Sequence, residues 1–166
     1  MARAWYETFG LPIITTNCTN NYGPFQHEEK LIPHMINSCL KGKKLPIYGD
    51  GSNIRDWLYV KDHCDALSVV LNRGKKGETY NIGGKNEIKN IQVVTQICEI
   101  LDDIYPKKNG GSYSDQISFI EDRLGHDYRY GLDISKIEAG KMELNNQQTN
   151  IPELLNKVAD TIAPLI

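Results

Sequence analysis

The run Ile47-Tyr48-Gly49-Asp50-Gly51-Ser52-Asn53-Ile54-Arg55-Asp56-Trp57-Leu58-Tyr59-Val60-Lys61-Asp62 constrains this chain more than any other stretch. It opens as a short strand and breaks at Gly49-Asp50-Gly51, where glycine accepts the positive φ that other residues resist. A second apolar run, Trp57 to Val60, leads to Asp62, the predicted N-cap of a helix with Asp65 at its third position. Strand, turn, strand and helix start therefore follow one another, and the flanking segments must pack around them. Within this element Arg55 has two readings. Its planar guanidinium suits bidentate contact with a phosphate or carboxylate; alternatively it forms a surface salt bridge with Asp50 or Asp56.

The flanks alternate between strand and helix patterns. Ala2 to Phe9 has the pattern of helix turns closed by Gly10. The β-branched run inside Leu11 to Cys18 predicts a buried strand. Asn20 and Asn21 follow at its end, either as ligand-facing amides or as an Asn-rich turn before Gly23-Pro24. Glu28 to Leu40 predicts a helix whose apolar face holds Leu31, Ile32, Met35, Ile36, Cys39 and Leu40, closed at Lys41-Gly42. Asp62 to Arg73 predicts a second, burying Cys64, Leu67, Val70 and Leu71. Thr79 to Ile82 is a short strand, and Gly83-Gly84 allows close backbone approach. Asn90 caps a helix carrying Ile91, Val94, Ile97, Leu101 and Ile104 on one face. Pro106 to Ser114 is a loop, Ile117 to Ile120 an edge strand, and Asn150 caps a last helix.

Composition narrows the function classes. With 19 basic and 21 acidic residues among 166, the net charge of −2 leaves no polycationic footprint for nucleic acid or a membrane surface. The 4 cysteines lie far apart without C-x-x-C or histidine spacing, which predicts neither a metal site nor a redox motif but free thiols in a reducing cytoplasm.

The spelling Leu45-Pro46-Ile47-Tyr48-Gly49-Asp50-Gly51 followed by Arg55-Asp56-Trp57-Leu58-Tyr59-Val60 resembles the nucleotide-sugar branch of the extended short-chain dehydrogenases, most closely the dTDP-glucose 4,6-dehydratase family. Thr16-Asn17-Cys18-Thr19-Asn20-Asn21-Tyr22-Gly23-Pro24, Glu29-Lys30-Leu31-Ile32-Pro33, Gly77-Glu78-Thr79-Tyr80-Asn81-Ile82-Gly83-Gly84 and Asp122-Arg123-Leu124-Gly125-His126-Asp127 agree in family order. The resemblance implies substrate contacts at Asn20, Lys30, Leu31, Pro46, Ile47, Tyr48, Arg55, Asn90, Arg123 and His126. Arg55 and Arg123 would pair with the diphosphate, and Pro46 to Tyr48 would lie beside the base. Asn21 is the implied cofactor-side residue. Leu124 stands where the family carries proline, which frees φ beside Arg123.

The family's chemistry also needs a G-x-x-G-x-x-G loop for NAD and a Tyr-x-x-x-Lys pair for the base. None of the 9 tyrosines here has lysine four residues on. The resemblance therefore implies a C-terminal half, beginning just after that pair, without catalytic residues of its own and binding no NAD by itself. Residues 1–131 are read as the nucleotide-sugar-binding part. Residues 132–166 are read as a helical tail of different origin, since Leu132-Asp133-Ile134-Ser135-Lys136-Ile137-Glu138-Ala139-Gly140-Lys141 resembles the dimerisation helix of sensor histidine kinases. The expected fold is α/β: a partial Rossmann-like sheet edge plus a small mixed α/β substrate-binding lobe. The expected partners are dTDP-glucose and either further copies of the chain or a complementing N-terminal half; the alternative is a non-catalytic interaction module.

Overall fold

Successive side chains on the strand Ile54–Tyr59 point to opposite sides, and this alternation divides the described molecule into two cores. A computed structural model describes residues 1–132. In chain order the elements are α1 (Ala2–Phe9), β1 (Thr15–Cys18), β2 (Asn20–Tyr22), α2 (Leu31–Leu40), β3 (Leu45–Tyr48), β4 (Ile54–Tyr59), α3 (Val60–Arg73), β5 (Thr79–Ile82), β6 (Glu87–Lys89), α4 (Asn90–Ile104), a 3-10 turn (Tyr113–Gln116), β7 (Ile117–Ile120) and β8 (Arg129–Tyr130). Trp57 enters the larger core with Tyr22, Ile32, Met35, Ile36, Leu45, Ile47 and the α4 residues Val93, Val94, Ile97 and Leu101. Leu58, its neighbour, enters the smaller core with Ala66, Val70, Tyr80 and Ile82.

The smaller core is the Rossmann-like part of this α/β fold. There β1 pairs in parallel with β5, from Thr15 opposite Thr79 to Cys18 opposite Ile82, and α3 covers the pair. The mixed lobe is built on the larger core. β2 runs parallel to β4, with Asn20 opposite Trp57, while β6 runs antiparallel to it, with Arg55 opposite Ile88. β3 and β7 form a separate parallel pair. Parallel pairs dominate, which fits strands joined by helical crossovers.

The periodicity placed the helices, and packing moved their ends. α1 does end at Gly10, which is left-handed with φ 65 and donates its N–H to the Tyr6 carbonyl. α2 starts at Leu31 rather than Glu28, with Lys30 as the extended residue before it. α3 starts at Val60, two residues before the expected cap: β4 pairs through Tyr59, and Val60 packs under Gly23, where a Cβ would lie 2.5 Å from Val60 Cγ1. Asp62 thus sits in the first turn, not at the N-cap. The expected apolar face of α3 is also corrected. Ala66 and Val70 are buried, but Cys64 is exposed, Leu67 is 38% exposed and Leu71 80%, because two strands are too narrow to cover more than one stripe. In α4 the cap is Lys89, whose N–H donates to Gln92 Oε1 at 3.2 Å; Asn90 is the first helical residue.

Gly83-Gly84 does bring backbones together, with a protein strand as the neighbour. A Cβ on Gly84 would come 2.0 Å from the Trp57 carbonyl oxygen. Among the described residues no helix is long and apolar enough to cross a membrane, and no His, Cys, Asp or Glu cluster could hold a metal. The helices expected after residue 132 lie outside the described residues.

Candidate functional site

The turn after β3 is held by its glycines. Gly49 and Gly51 have φ of 58 and 75, and a Cβ on Gly51 would fall 2.7 Å from Ile91 Cβ and 2.8 Å from Ile47 Cγ2. Asp50 accepts the Ser52 N–H at 2.9 Å, closing the turn and keeping its carboxylate off Arg55. The Gly51 and Asn53 carbonyls accept the N–H groups of Ile91 and Asn90 at 3.0 and 2.9 Å. The start of α4 is thereby docked on the turn, beside the strand that carries Arg55.

Arg55 takes neither expected ion pair. Asp56 follows it on the strand and so points to the other face, where it is buried and accepts the N–H groups of Gly84 and Asn86 at 2.9 and 2.7 Å. Arg55 turns instead toward the segment after β7. One Nη1 donates to the Ile54 carbonyl at 2.7 Å, and Nη2 lies 3.0 Å from His126 Nε2. Arg123 reaches the same nitrogen at 3.1 Å, and its guanidinium stacks over the Tyr48 ring at 4.9 Å. The two cations meet at one ring nitrogen. Behind the ring, His126 Nδ1 lies 2.6 Å from Asp122 Oδ1, which also accepts the Arg123 N–H at 2.8 Å. The His126 hydrogen bond is the main reason the Asp122 carboxyl is held below the ordinary carboxylate range.

Four of the expected residues, Tyr48, Arg55, Arg123 and His126, therefore converge, although Tyr48 and His126 are 78 positions apart in sequence. Leu124 is fully exposed, and Gly125 takes the left-handed turn with φ 73, so the motif closes without a proline. Asn90 lies nearby through its hydrogen bond to Asn53, with its side-chain Oδ1 buried and unpartnered. Asn20 is on β2, one strand over from Arg55. Pro46 and Ile47 lie on β3, with Ile47 buried in the larger core. Lys30 and Leu31 stand at the start of α2, with Leu31 packed against the larger core.

Asn21 is occupied otherwise. Its Nδ2 donates to the Thr19 carbonyl at 3.1 Å and approaches Cys18 Sγ at 3.3 Å, while its Oδ1 accepts from His63 Nδ1 at 2.8 Å. Burial lowers the His63 pKa, which favours the neutral ring making that bond. Two residues of the cluster were not singled out from sequence. Asn53 is buried and directs Nδ2 toward His126 Nδ1 at 3.4 Å and the Asp127 carbonyl at 3.5 Å. Asp122 buttresses the histidine. Asn53 gave only a turn signal, whereas the four-residue spacing of Asp122 and His126 could have suggested their pairing.

The chain as a whole has relatives of known sequence and structure. The sequence model of the NAD dependent epimerase/dehydratase family matches residues 1–83. The chain is 59% identical over 137 residues to dTDP-glucose 4,6-dehydratase 1 of Escherichia coli K12, covering 82% of this chain and 37% of that protein. It superposes on the NAD complex of dTDP-glucose 4,6-dehydratase from Bacillus anthracis with a TM-score of 0.79 at 42% identity, covering 99% of this chain and 51% of that one. On the Streptomyces venezuelae dTDP-glucose 4,6-dehydratase with NAD and TYD bound the TM-score is 0.82 at 38% identity, covering 98% and 47%. The chain thus spans between about a third and a half of the length of these relatives.

These matches correct the expected recognition, a C-terminal half with a kinase-like tail. The family match covers the first half of the chain, 1–83, and assigns it to the family's NAD-binding region rather than to a C-terminal half. The physical reason is visible in the fold. Within those residues β1, β5 and α3 build the parallel Rossmann-like layer, beside the β2, α2, β3 and β4 residues that enter the larger core.

Proposed function

The chain belongs to the NAD dependent epimerase/dehydratase family, and on that premise we propose that Arg55, Arg123 and His126 form the diphosphate corner of a dTDP-glucose site. The convergence of two guanidiniums on one nitrogen carries the reading. Two cations held that close together create a positive potential that an anionic ligand relieves. A diphosphate offers several acceptor oxygens and can engage both planar forks at once. Tyr48, under Arg123, keeps that guanidinium from swinging away.

The neighbours fit the other parts of a nucleotide sugar. The unpartnered Asn90 Oδ1 is an acceptor, so it suits a hydroxyl or an imide N–H rather than a phosphate oxygen. Asn20 lies on the adjoining strand, and Pro46 and Tyr48, on the open face of β3 above the buried Ile47, offer the partly apolar edge a base would need. Lys30 and Leu31 border the ligand only if it extends to the start of α2. The part of the site that would hold NAD is a poorer fit. The amide of Asn21 is committed to Thr19, Cys18 and His63, and the Gly84 N–H is committed to Asp56. The described residues accordingly bind and orient substrate, and no proton or hydride step is assigned to them.

Calorimetric titration of the whole chain with dTDP-glucose, with dTDP and NAD as comparisons, tests the proposal. We expect saturable binding of both thymidine ligands, weakened by about 2–5 kcal/mol in Arg55→Ala. A folded chain that gives no saturable heat with either ligand refutes it.

A second reading, assembly with another chain, has its own support. α1 buries none of its residues, with Trp5 46% and Phe9 64% exposed. Together with Leu67 and Leu71 on α3, these leave apolar surface that association would cover. Light scattering at increasing concentration reads this directly, and a mass of one chain throughout would exclude self-association.

A further inference from the structure

His126 has one feature that anion binding alone does not require. Its Nε2 lies within hydrogen-bond distance of two groups that can only donate, Arg55 Nη2 at 3.0 Å and Arg123 Nη2 at 3.1 Å. A guanidinium has five N–H donors and no acceptor. Nε2 must therefore present its lone pair, and the ring proton must sit on Nδ1. That proton has a receiver: Asp122 Oδ1 at 2.6 Å. Asn53 Nδ2, the other group near Nδ1, is itself a donor at 3.4 Å and cannot take it. The ring is shielded, with its side chain 9% exposed, so water does not compete freely for either nitrogen.

We propose that Asp122 is a positioning residue which locks His126 as the neutral Nδ1–H tautomer, and that the Nε2 lone pair so exposed gathers Arg55 and Arg123 before any ligand arrives. This deepens, and rests on, the diphosphate reading of the same corner. Which nitrogen of a histidine bears the proton is set by the partner of the other, and here the carboxylate decides it. The neutral ring matters because an imidazolium at that position would place a third positive charge against two guanidiniums and turn Nε2 into a donor facing donors. The arrangement is compact in its means. Asp122 Oδ1 also accepts the Arg123 N–H, so one carboxylate oxygen fixes both the turn bearing Arg123 and the ring that receives its guanidinium.

The test reads the tautomer in the ligand-free whole chain and the affinity separately. Nitrogen-15 NMR of labelled protein at pH 7.5 resolves the ring nitrogens of 4 histidines, and His126→Gln identifies the signal of interest. We expect Nδ1 protonated and Nε2 bare in the parent chain and in Asp122→Asn, whose amide oxygen can still accept. In Asp122→Ala, with the Nδ1 acceptor gone, we expect the proton to move to Nε2, both guanidiniums to be released from that nitrogen, and dTDP binding to fall by about tenfold or more, the scale of one hydrogen bond to a charged group. Circular dichroism checks that each variant is folded. A protonated Nε2 in the parent chain, or an unchanged tautomer in a folded Asp122→Ala, overturns the proposal. The expected tautomers without any dTDP binding would instead uphold the positioning role and sink the diphosphate reading.

Discussion

Replacing Asp56 by alanine offers the sharpest check on how β4 is built. The carboxylate is 5% exposed and receives two backbone N–H groups, Gly84 at 2.9 Å and Asn86 at 2.7 Å, while the Trp57 N–H donates back to the Asn86 carbonyl at 3.0 Å. Each hydrogen bond to a charged group contributes about 1.5–3 kcal/mol. Asp56→Ala removes both and leaves two donors facing a methyl group. Water can re-enter part of the space, so we expect a loss of about 3–5 kcal/mol in urea unfolding, near the total stability of many domains. Asp56→Asn keeps one acceptor oxygen, turns the other into a donor facing an N–H, and should lose about half to all of that amount. The loop Gly83–Asn86 should also lose amide protection from hydrogen exchange before the rest of the fold does. A midpoint shift corresponding to less than about 1 kcal/mol for Asp56→Ala, with the slope unchanged, would refute the idea that this carboxylate ties the loop to β4.

The remaining expectations concern the turn, the tyrosine core and pH. Gly51→Ala should cost more than about 2 kcal/mol, since it adds the left-handed penalty of about 1–2 kcal/mol to a clash with Ile91 and Ile47. Gly49→Ala, with its nearest neighbour at 3.5 Å, should cost the backbone penalty alone, and equal losses in paired melts would contradict the clash. Tyr22, buried in the larger core, has its phenol pushed up to about 12 by burial and then by Asp62. The folded state disfavours the phenolate, so this contribution is intact below about 10 and is lost as pH rises toward 12; Tyr22→Phe should flatten the stability profile there. Burial lowers the His63 pKa, so its contribution is intact above the ordinary histidine range and lost as pH falls below it. Unfolding midpoints of His63→Asn that keep the parent's decline between neutral and acid pH would contradict this.

Much of the site could be read along the chain because it depends on local chemistry. Gly49-Asp50-Gly51 had to be a turn, and the guanidiniums of Arg55 and Arg123 could pair only with acceptors. The helix periods of α2 and α4 held over most of their length, since each has an apolar stripe and a core to bury it, but Ile104 at the end of α4 is 47% exposed. α3 failed the same reasoning: Leu67 and Leu71 have helical spacing, but burial requires an opposing surface, and the β1–β5 pair offers one only to Ala66 and Val70.

What the sequence determined by itself was the α/β pattern, the breaks between elements and the residue types able to hold an anion. Which of those residues meet was decided only by the tertiary structure. Strand alternation sent Asp56 away from Arg55, and the chain's return after β7 brought His126, from 71 positions away in sequence, to receive it. Hydrogen bonds act over about 3 Å, so a partner so distant along the chain becomes a partner only once the backbone has closed the distance.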